Sequence, residues 1–172
     1  MRVPKILNFA VFHGAWLACM FTAAAGRPLL GALAPALAVA LHLLLVGERR
    51  RGEMVIVACA AGAGLLLDGP AILLGLYSAT HGSTVTSLVW FVALWAGFAT
   101  TLNSSLAWLN AKLFVAVLFG AVGGPLAYYG GQRIGAASVS EGWTAWAWIT
   151  IEWAVGTPLL VRLAASRRGT PA

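Results

Sequence analysis

Gly47-Glu48-Arg49-Arg50-Arg51-Gly52-Glu53 is a short charged turn between two long apolar runs, residues 28–46 and 54–77. At 1.5 Å per helical residue, each run is long enough to cross a hydrocarbon core of about 30 Å. Three arginines between two such runs mark a cytoplasmic loop, because translocation disfavours Lys and Arg in short exported loops. Outward from this turn the pattern repeats, with further apolar runs at 6–25, 87–109, 112–129 and 143–163. Nine of the eleven Lys and Arg fall on one side of the folded chain: Arg2, Lys5, Arg49, Arg50, Arg51, Lys112, Arg162, Arg167 and Arg168. Arg27 and Arg133 lie in the alternate loops. The expectation is an all-α polytopic membrane protein: six transmembrane helices in one bundle and one domain, both termini cytoplasmic, in a bacterial inner membrane.

Composition agrees. Hydrophobic residues make up 60% of the chain and charged residues 9%, with a mean hydropathy of +0.87. A soluble domain carries roughly 25% charged residues. The net charge of +6 sits at membrane boundaries rather than on a basic face interleaved with aromatics, so nucleic-acid binding is not expected. Six spans use nearly all 172 residues and leave no room for a soluble catalytic domain. Uninterrupted apolar runs without alternation argue for helices and against strands. The first run imitates a signal peptide, but it exceeds the usual apolar core of about 7–15 residues and is expected to stay as a helix. No inverted repeat of the kind found in alternating-access carriers stands out between the halves.

Trp143, Trp146 and Trp148 open the sixth run and belong at the outer interface. Gly120 and Gly124 form a GxxxG step, and Gly97, Thr101 and Ser105 a small-residue ridge, both suited to helix packing within the chain. Cys19 and Cys59 lie in apolar runs and form no CxxC pair, which speaks against a disulfide.

Polar residues at membrane depth are costly and need a partner or a purpose. The candidates for a ligand or proton pathway are Glu152, His42, Asp68, Asn103, Asn8 and His13. Counted from the span ends, Glu152 and His13 fall near mid-membrane, Asn8, His42 and Asn103 in the cytoplasmic half, and Asp68 in the outer half. Glu152 is the leading candidate, with His42 its partner if the second and sixth helices are neighbours. Asp68 precedes Gly69-Pro70, which reads as an interruption of the third helix. Asp68 then either caps the second half or lines a cavity at the break. No HxxxH, HExxH or ExxH spacing is present, so no metal site is expected. Ser104-Ser105 lacks a nucleophile elbow, and no phosphate-cradling loop occurs. No catalytic residue and no cofactor are assigned.

Leu94-Trp95, Phe98-Ala99-Thr100-Thr101-Leu102-Asn103 and Ser105-Leu106-Ala107-Trp108-Leu109 together resemble the hallmark of a bacterial membrane family, domain of unknown function 2878. Gly124-Pro125-Leu126-Ala127-Tyr128-Tyr129-Gly130-Gly131 with Gly135-Ala136 resembles its second hallmark. Leu7-Asn8-Phe9, Phe12, Trp16, Ala18-Cys19, His42 and Gly64-Leu65-Leu66-Leu67-Asp68 are similar to its first three helices. His13 stands where glutamine is usual, and Ser104 where histidine is common. The resemblance implies a six-helix inner-membrane fold and no assigned activity. It also implies companionship with lipid-modifying enzymes.

Three functions follow as expectations. The first is a non-enzymatic accessory of envelope lipid or fatty-acid modification, with membrane lipids and a lipid-modifying enzyme as partners. The alternative is a small transporter or substrate-binding membrane subunit, with Glu152, His42 and Asp68 along its path. An intramembrane enzyme using Asp68 or Glu152 as acid or base comes third, since no paired motif supports it.

Overall fold

A computed structural model describes residues 4–168. Arg2, counted above among the cytoplasmic cations, lies outside the described residues. Six long helices follow in order: α1 (Lys5–Ala24), α2 (Pro28–Leu45), α3 (Arg50–Leu73), α4 (Thr84–Ala99), α5 (Leu113–Ile134) and α6 (Trp143–Arg167). Short strands β1 (Tyr77–Ala79) and β2 (Ala137–Val139) precede α4 and α6. Four segments are long and apolar enough to cross a membrane: α1, α2, Gly47–Leu73 and α5. α4 is apolar but shorter, and α6 carries Glu152 and Arg162 within its length.

The expected turn at 47–53 contracts to a 3-10 turn at Gly47–Arg49, and Arg50 through Glu53 already belong to α3. α3 is also not interrupted at Asp68-Gly69-Pro70. Pro70 sits inside a continuous helix, where its ring removes one backbone donor. The carbonyl left without that donor is Leu66; Trp148 of α6 donates its indole N–H to the adjacent Leu67 carbonyl at 3.2 Å.

The fourth helix ends at Ala99, ten residues short of the expected boundary. Residues 100–106 run on in tight turns closed by i→i−3 hydrogen bonds and one wider bond from the Leu106 N–H to the Thr101 carbonyl, then a 3-10 turn at Ala107–Leu109. Thr100 and Thr101 donate their hydroxyls to the carbonyls of Gly97 and Phe98 at 2.7 and 2.6 Å. Those hydroxyls compete with the helical pattern, the local effect that makes Thr a poor interior residue.

The two strands are the second departure from an all-helical reading. β1 and β2 pair antiparallel, Ser78 opposite Ser138, with Tyr77 opposite Val139 and Ala79 opposite Ala137. Each strand follows a helix closed by a glycine in the left-handed region, Gly75 at φ 71° and Gly135 at φ 88°. In both, the glycine N–H and the next N–H bond back to the last helical turn, a Schellman closure.

That parallel runs deeper. Gly64, Asp68, Gly75 and Ser78 correspond, sixty residues on, to Gly124, Tyr128, Gly135 and Ser138. Gly64 receives the Trp95 ring from α4, and Gly124 receives the Trp153 ring from α6. The two rings stack on each other, with centroids 4.3 Å apart and planes 16° from parallel. α3–β1–α4 and α5–β2–α6 are therefore two copies of one unit, meeting at the strand pair and at the tryptophan stack. No inverted repeat was expected, and this one runs parallel. α1 packs on α2 and α2 on α4, so the first hairpin flanks the paired units.

Candidate functional site

Asp68 is completely buried, and Glu152 is 3% exposed. Helices α3 and α6 pack together and bring the two carboxyl groups to the same pair of phenols. Tyr77 Oη lies 2.7 Å from Asp68 Oδ1 and 2.9 Å from Glu152 Oε2. Tyr128 Oη lies 2.7 Å from Asp68 Oδ1 and 3.3 Å from Glu152 Oε1. Trp95 donates its indole N–H to Asp68 Oδ2 at 2.7 Å. Tyr77 reaches inward because the Gly75 turn reverses the chain at the end of α3, only nine residues after Asp68.

A hydrogen count describes what this cluster holds. Five polar contacts are made, but Tyr77, Tyr128 and Trp95 supply one hydrogen each. Each phenol faces two carboxyl oxygens and can donate to only one. All five contacts are satisfied only when carboxyl protons make up the difference. Among the described residues, no Lys, Arg or His forms an ion pair with either carboxyl group. The cluster is a proton-holding network rather than a salt bridge.

Asp68 is thus neither a helix cap nor at a break. It is an acceptor for three neighbouring elements. Nor does His42 pair with Glu152. His42 Nε2 lies 3.2 Å from Glu53 Oε2, both residues 3–4% exposed, at the end where α2 meets α3. The short turn at 47–49 places these two residues side by side, while α6 presents Glu152 to the opposite half of the bundle. Asn103 Nδ2 donates to Glu53 Oε1 at 3.2 Å, and Arg168 Nε donates to Asn103 Oδ1 at 2.7 Å.

Asn8 serves the irregular segment after α4. Its Nδ2 donates to the Thr100 carbonyl at 3.0 Å, and its Oδ1 accepts from the Ser105 N–H and hydroxyl at 3.2 and 2.7 Å. Non-helical backbone packed away from water needs such a partner. His13 is exposed, and its Nδ1 lies 2.9 Å from the Phe9 carbonyl. Among the described residues no group of three or more His, Cys, Asp or Glu could hold a metal ion. Cys19 and Cys59 are both free.

A cleft of about 370 Å³ lies between α1 and α5, backed by α4 and α6. Phe12, His13 and Trp16 form one wall and Phe119, Gly123 and Leu126 the other. Its floor includes Trp95 and Tyr128, the residues that donate to Asp68 from behind. The apolar cleft and the carboxyl cluster are therefore two sides of one wall. Gly120 and Gly124 lie along it where α5 meets Trp153, so the GxxxG step is spent on packing within the chain.

Four residues of these clusters escaped sequence reasoning. Glu53 looked like part of an exposed charged turn, and Tyr77 like the end of a span. Trp95 and Tyr128 stood in the motifs that carry the family resemblance, which was the available signal, but apolar runs full of aromatics gave them no role.

A family model described as "Protein of unknown function (DUF2878)" matches residues 5–159. No curated protein and no solved structure matches the chain. The chain belongs to the domain of unknown function 2878 family, as its fourth-helix and fifth-helix motifs imply.

Proposed function

We propose that this member of the family is a six-span inner-membrane protein, both termini cytoplasmic, that holds a lipid chain in the α1–α5 cleft. In this reading it is a non-enzymatic accessory of envelope lipid modification, working beside a lipid-modifying enzyme. The observation that carries the reading is the cleft itself. Its volume falls in the range of about 300–1,000 Å³ typical of small-molecule sites. Its rim residues Phe119 and Leu126 are 37% and 62% exposed, on an α5 face whose other outward residues, Phe114, Leu118 and Val122, are apolar. A groove opening through such a face meets bilayer chains before anything else.

Mass spectrometry of lipid retained by the purified chain tests this. Gly123 lines the cleft and has only Phe119 near the space its side chain would take. Gly123→Phe fills the groove, so the wild type should retain a lipid that the variant loses. Identical lipid content in both would sink the reading. A matching change in the membrane lipids of a deletion strain would tie the bound lipid to modification.

A second reading, a small transporter or solute-binding subunit, is favoured by two observations. The Asp68–Glu152 cluster can hold protons, and parallel repeats occur among transporters. A bound polar solute in place of lipid would select it.

A further inference from the structure

Asp68 and Glu152 meet the same two phenols in different ways. One oxygen of Asp68, Oδ1, faces both, with Tyr77 Oη and Tyr128 Oη each 2.7 Å away. Glu152 divides its oxygens, with Oε2 2.9 Å from Tyr77 and Oε1 3.3 Å from Tyr128. These four contacts close a ring that runs from Asp68 to Tyr77, Glu152, Tyr128 and back to Asp68. A phenol has one hydrogen to give and can also accept, and so does a protonated carboxyl group. The ring is complete when each of its four members donates once and accepts once. That state needs four hydrogens, and the phenols bring two. The other two are carboxyl protons, one on Asp68 and one on Glu152.

Trp95 fixes the arrangement at Asp68. Its indole N–H can only donate, and it meets Asp68 Oδ2 at 2.7 Å. Oδ2 is then the carbonyl oxygen, and Oδ1 is the hydroxyl that accepts from one phenol and donates to the other. Charge gives the same count. Among the described residues, the groups facing the two carboxyls of α3 and α6 are Tyr77 from β1, Trp95 from α4 and Tyr128 from α5, and none is a cation. A carboxylate buried among them would lack a counter-charge, and such a group takes up a proton instead. A single proton would leave both that charge and one contact without a hydrogen. With two, the cluster is neutral and every contact is made, each bond polarising the next.

We propose that Asp68 and Glu152 both carry a proton in the folded protein and close with Tyr77 and Tyr128 into one ring of four hydrogen bonds, a two-proton site inside the bundle. The ring runs in either direction. In one, Tyr128 donates to Asp68, Asp68 to Tyr77, Tyr77 to Glu152 and Glu152 to Tyr128. In the other, all four reverse. A concerted shift between them breaks four O–H bonds and forms four, moves no net charge and needs no outside acid or base. Loss of one proton as pH rises leaves three hydrogens for four ring contacts, and the 3.3 Å contact from Tyr128 to Glu152 is the first to open. Tyr128 also lines the α1–α5 cleft, so cleft and proton site share a residue. The site goes beyond the lipid-binding reading and holds whatever fills the cleft.

Asp68 is the single aspartate of the chain, so aspartate isotope-labelled at its carboxyl carbon reports on this one site. The test is infrared spectroscopy of the full chain, made by cell-free synthesis in an ester-free detergent. The carbonyl stretch of a protonated carboxyl group stands apart from carboxylate bands. At neutral pH the labelled Asp68 should absorb as a protonated acid. Protein labelled instead at its four glutamates should show a protonated band that Glu152→Gln removes. The Gln amide donates from one atom and accepts at the other, as protonated Glu152 does, so this variant should fold and keep the Asp68 band. Asp68→Asn cannot accept and donate at one atom, and should lower the thermal midpoint further than Glu152→Gln. A carboxylate signal from Asp68 in the wild type at neutral pH overturns the proposal without any variant. So does a glutamate spectrum that Glu152→Gln leaves unchanged, or the reverse order of thermal midpoints.

Discussion

Trp95 is tied to Asp68 by a hydrogen bond of 2.7 Å from its indole N–H, while its ring fills the space beside two glycines on different helices. A side chain at Gly64 of α3 would begin 2.5 Å from Trp95 Cδ1, and one at Gly156 of α6 2.8 Å from Cη2. With Trp153 stacked on its face, this one residue joins α3, α4 and α6 and fixes the wall between the cleft and the carboxyl cluster.

Gly64→Ala should therefore destabilise the bundle by about 1–3 kcal/mol, the usual cost of overpacking. Gly62, on the same helix, has nothing within 4 Å of an added side chain. Gly62→Ala should be neutral or stabilising, because Ala favours a helix over Gly by roughly 0.5–1 kcal/mol. Thermal unfolding of the two variants in one detergent reads the difference, and equal loss from both would contradict the packing.

Tyr77 and Tyr128 share Asp68 Oδ1 and both contact Glu152, so their contributions are coupled. Tyr77→Phe and Tyr128→Phe should each destabilise, and the double variant should depart from additivity by about 0.5–3 kcal/mol. A double-mutant cycle on unfolding free energy measures this. Strict additivity would mean that the phenols act independently and that the hydrogen count above does not describe the cluster.

Removing Asn8 frees three backbone or hydroxyl groups at once: the Thr100 carbonyl, the Ser105 N–H and the Ser105 hydroxyl. Asn8→Ala should cost about 1–3 kcal/mol for each group that finds no new partner. The sharper sign is local. Amide exchange at Ser105 should accelerate, whereas exchange in the middle of α5 should follow only the global loss of stability.

The sequence revealed the helices far better than the site, and the reason is physical. Apolar length and the placement of Lys and Arg are local properties, so five of the six helices begin and end within about five residues of expectation. α4 fails at its end because Thr100 and Thr101 redirect the backbone, and the partner that stabilises the alternative, Asn8, is 97 residues from Ser105. Asp68 and Glu152 were both legible as costly residues, but their meeting depends on how α3 packs on α6. The repeat was hidden for a similar reason. Its matched positions are sparse glycines, and its strongest sign is a pair of tryptophans visible only once they stack.

Glu53 provides the clearest test of what depth estimates miss. In the sequence it closes a charged turn, two residues after Arg51 and five after Glu48. In the fold it is 3% exposed, paired with His42 and accepting from Asn103, whereas Glu48 is exposed. Removing Glu53 takes a hydrogen-bond partner from the buried His42 ring and from Asn103, at a cost of about 1–3 kcal/mol for each group that finds no new partner. Glu53→Ala should therefore unfold the end where α2 meets α3 more readily than Glu48→Ala, whose surface position limits its effect to about 0.5 kcal/mol. Because Glu53 also orients Asn103, its loss should loosen the contact between Asn103 and Arg168 at the end of α6. Limited proteolysis after Arg167 or Arg168, compared across the two variants, reads that second effect, and identical cleavage rates would place Glu53 outside the network.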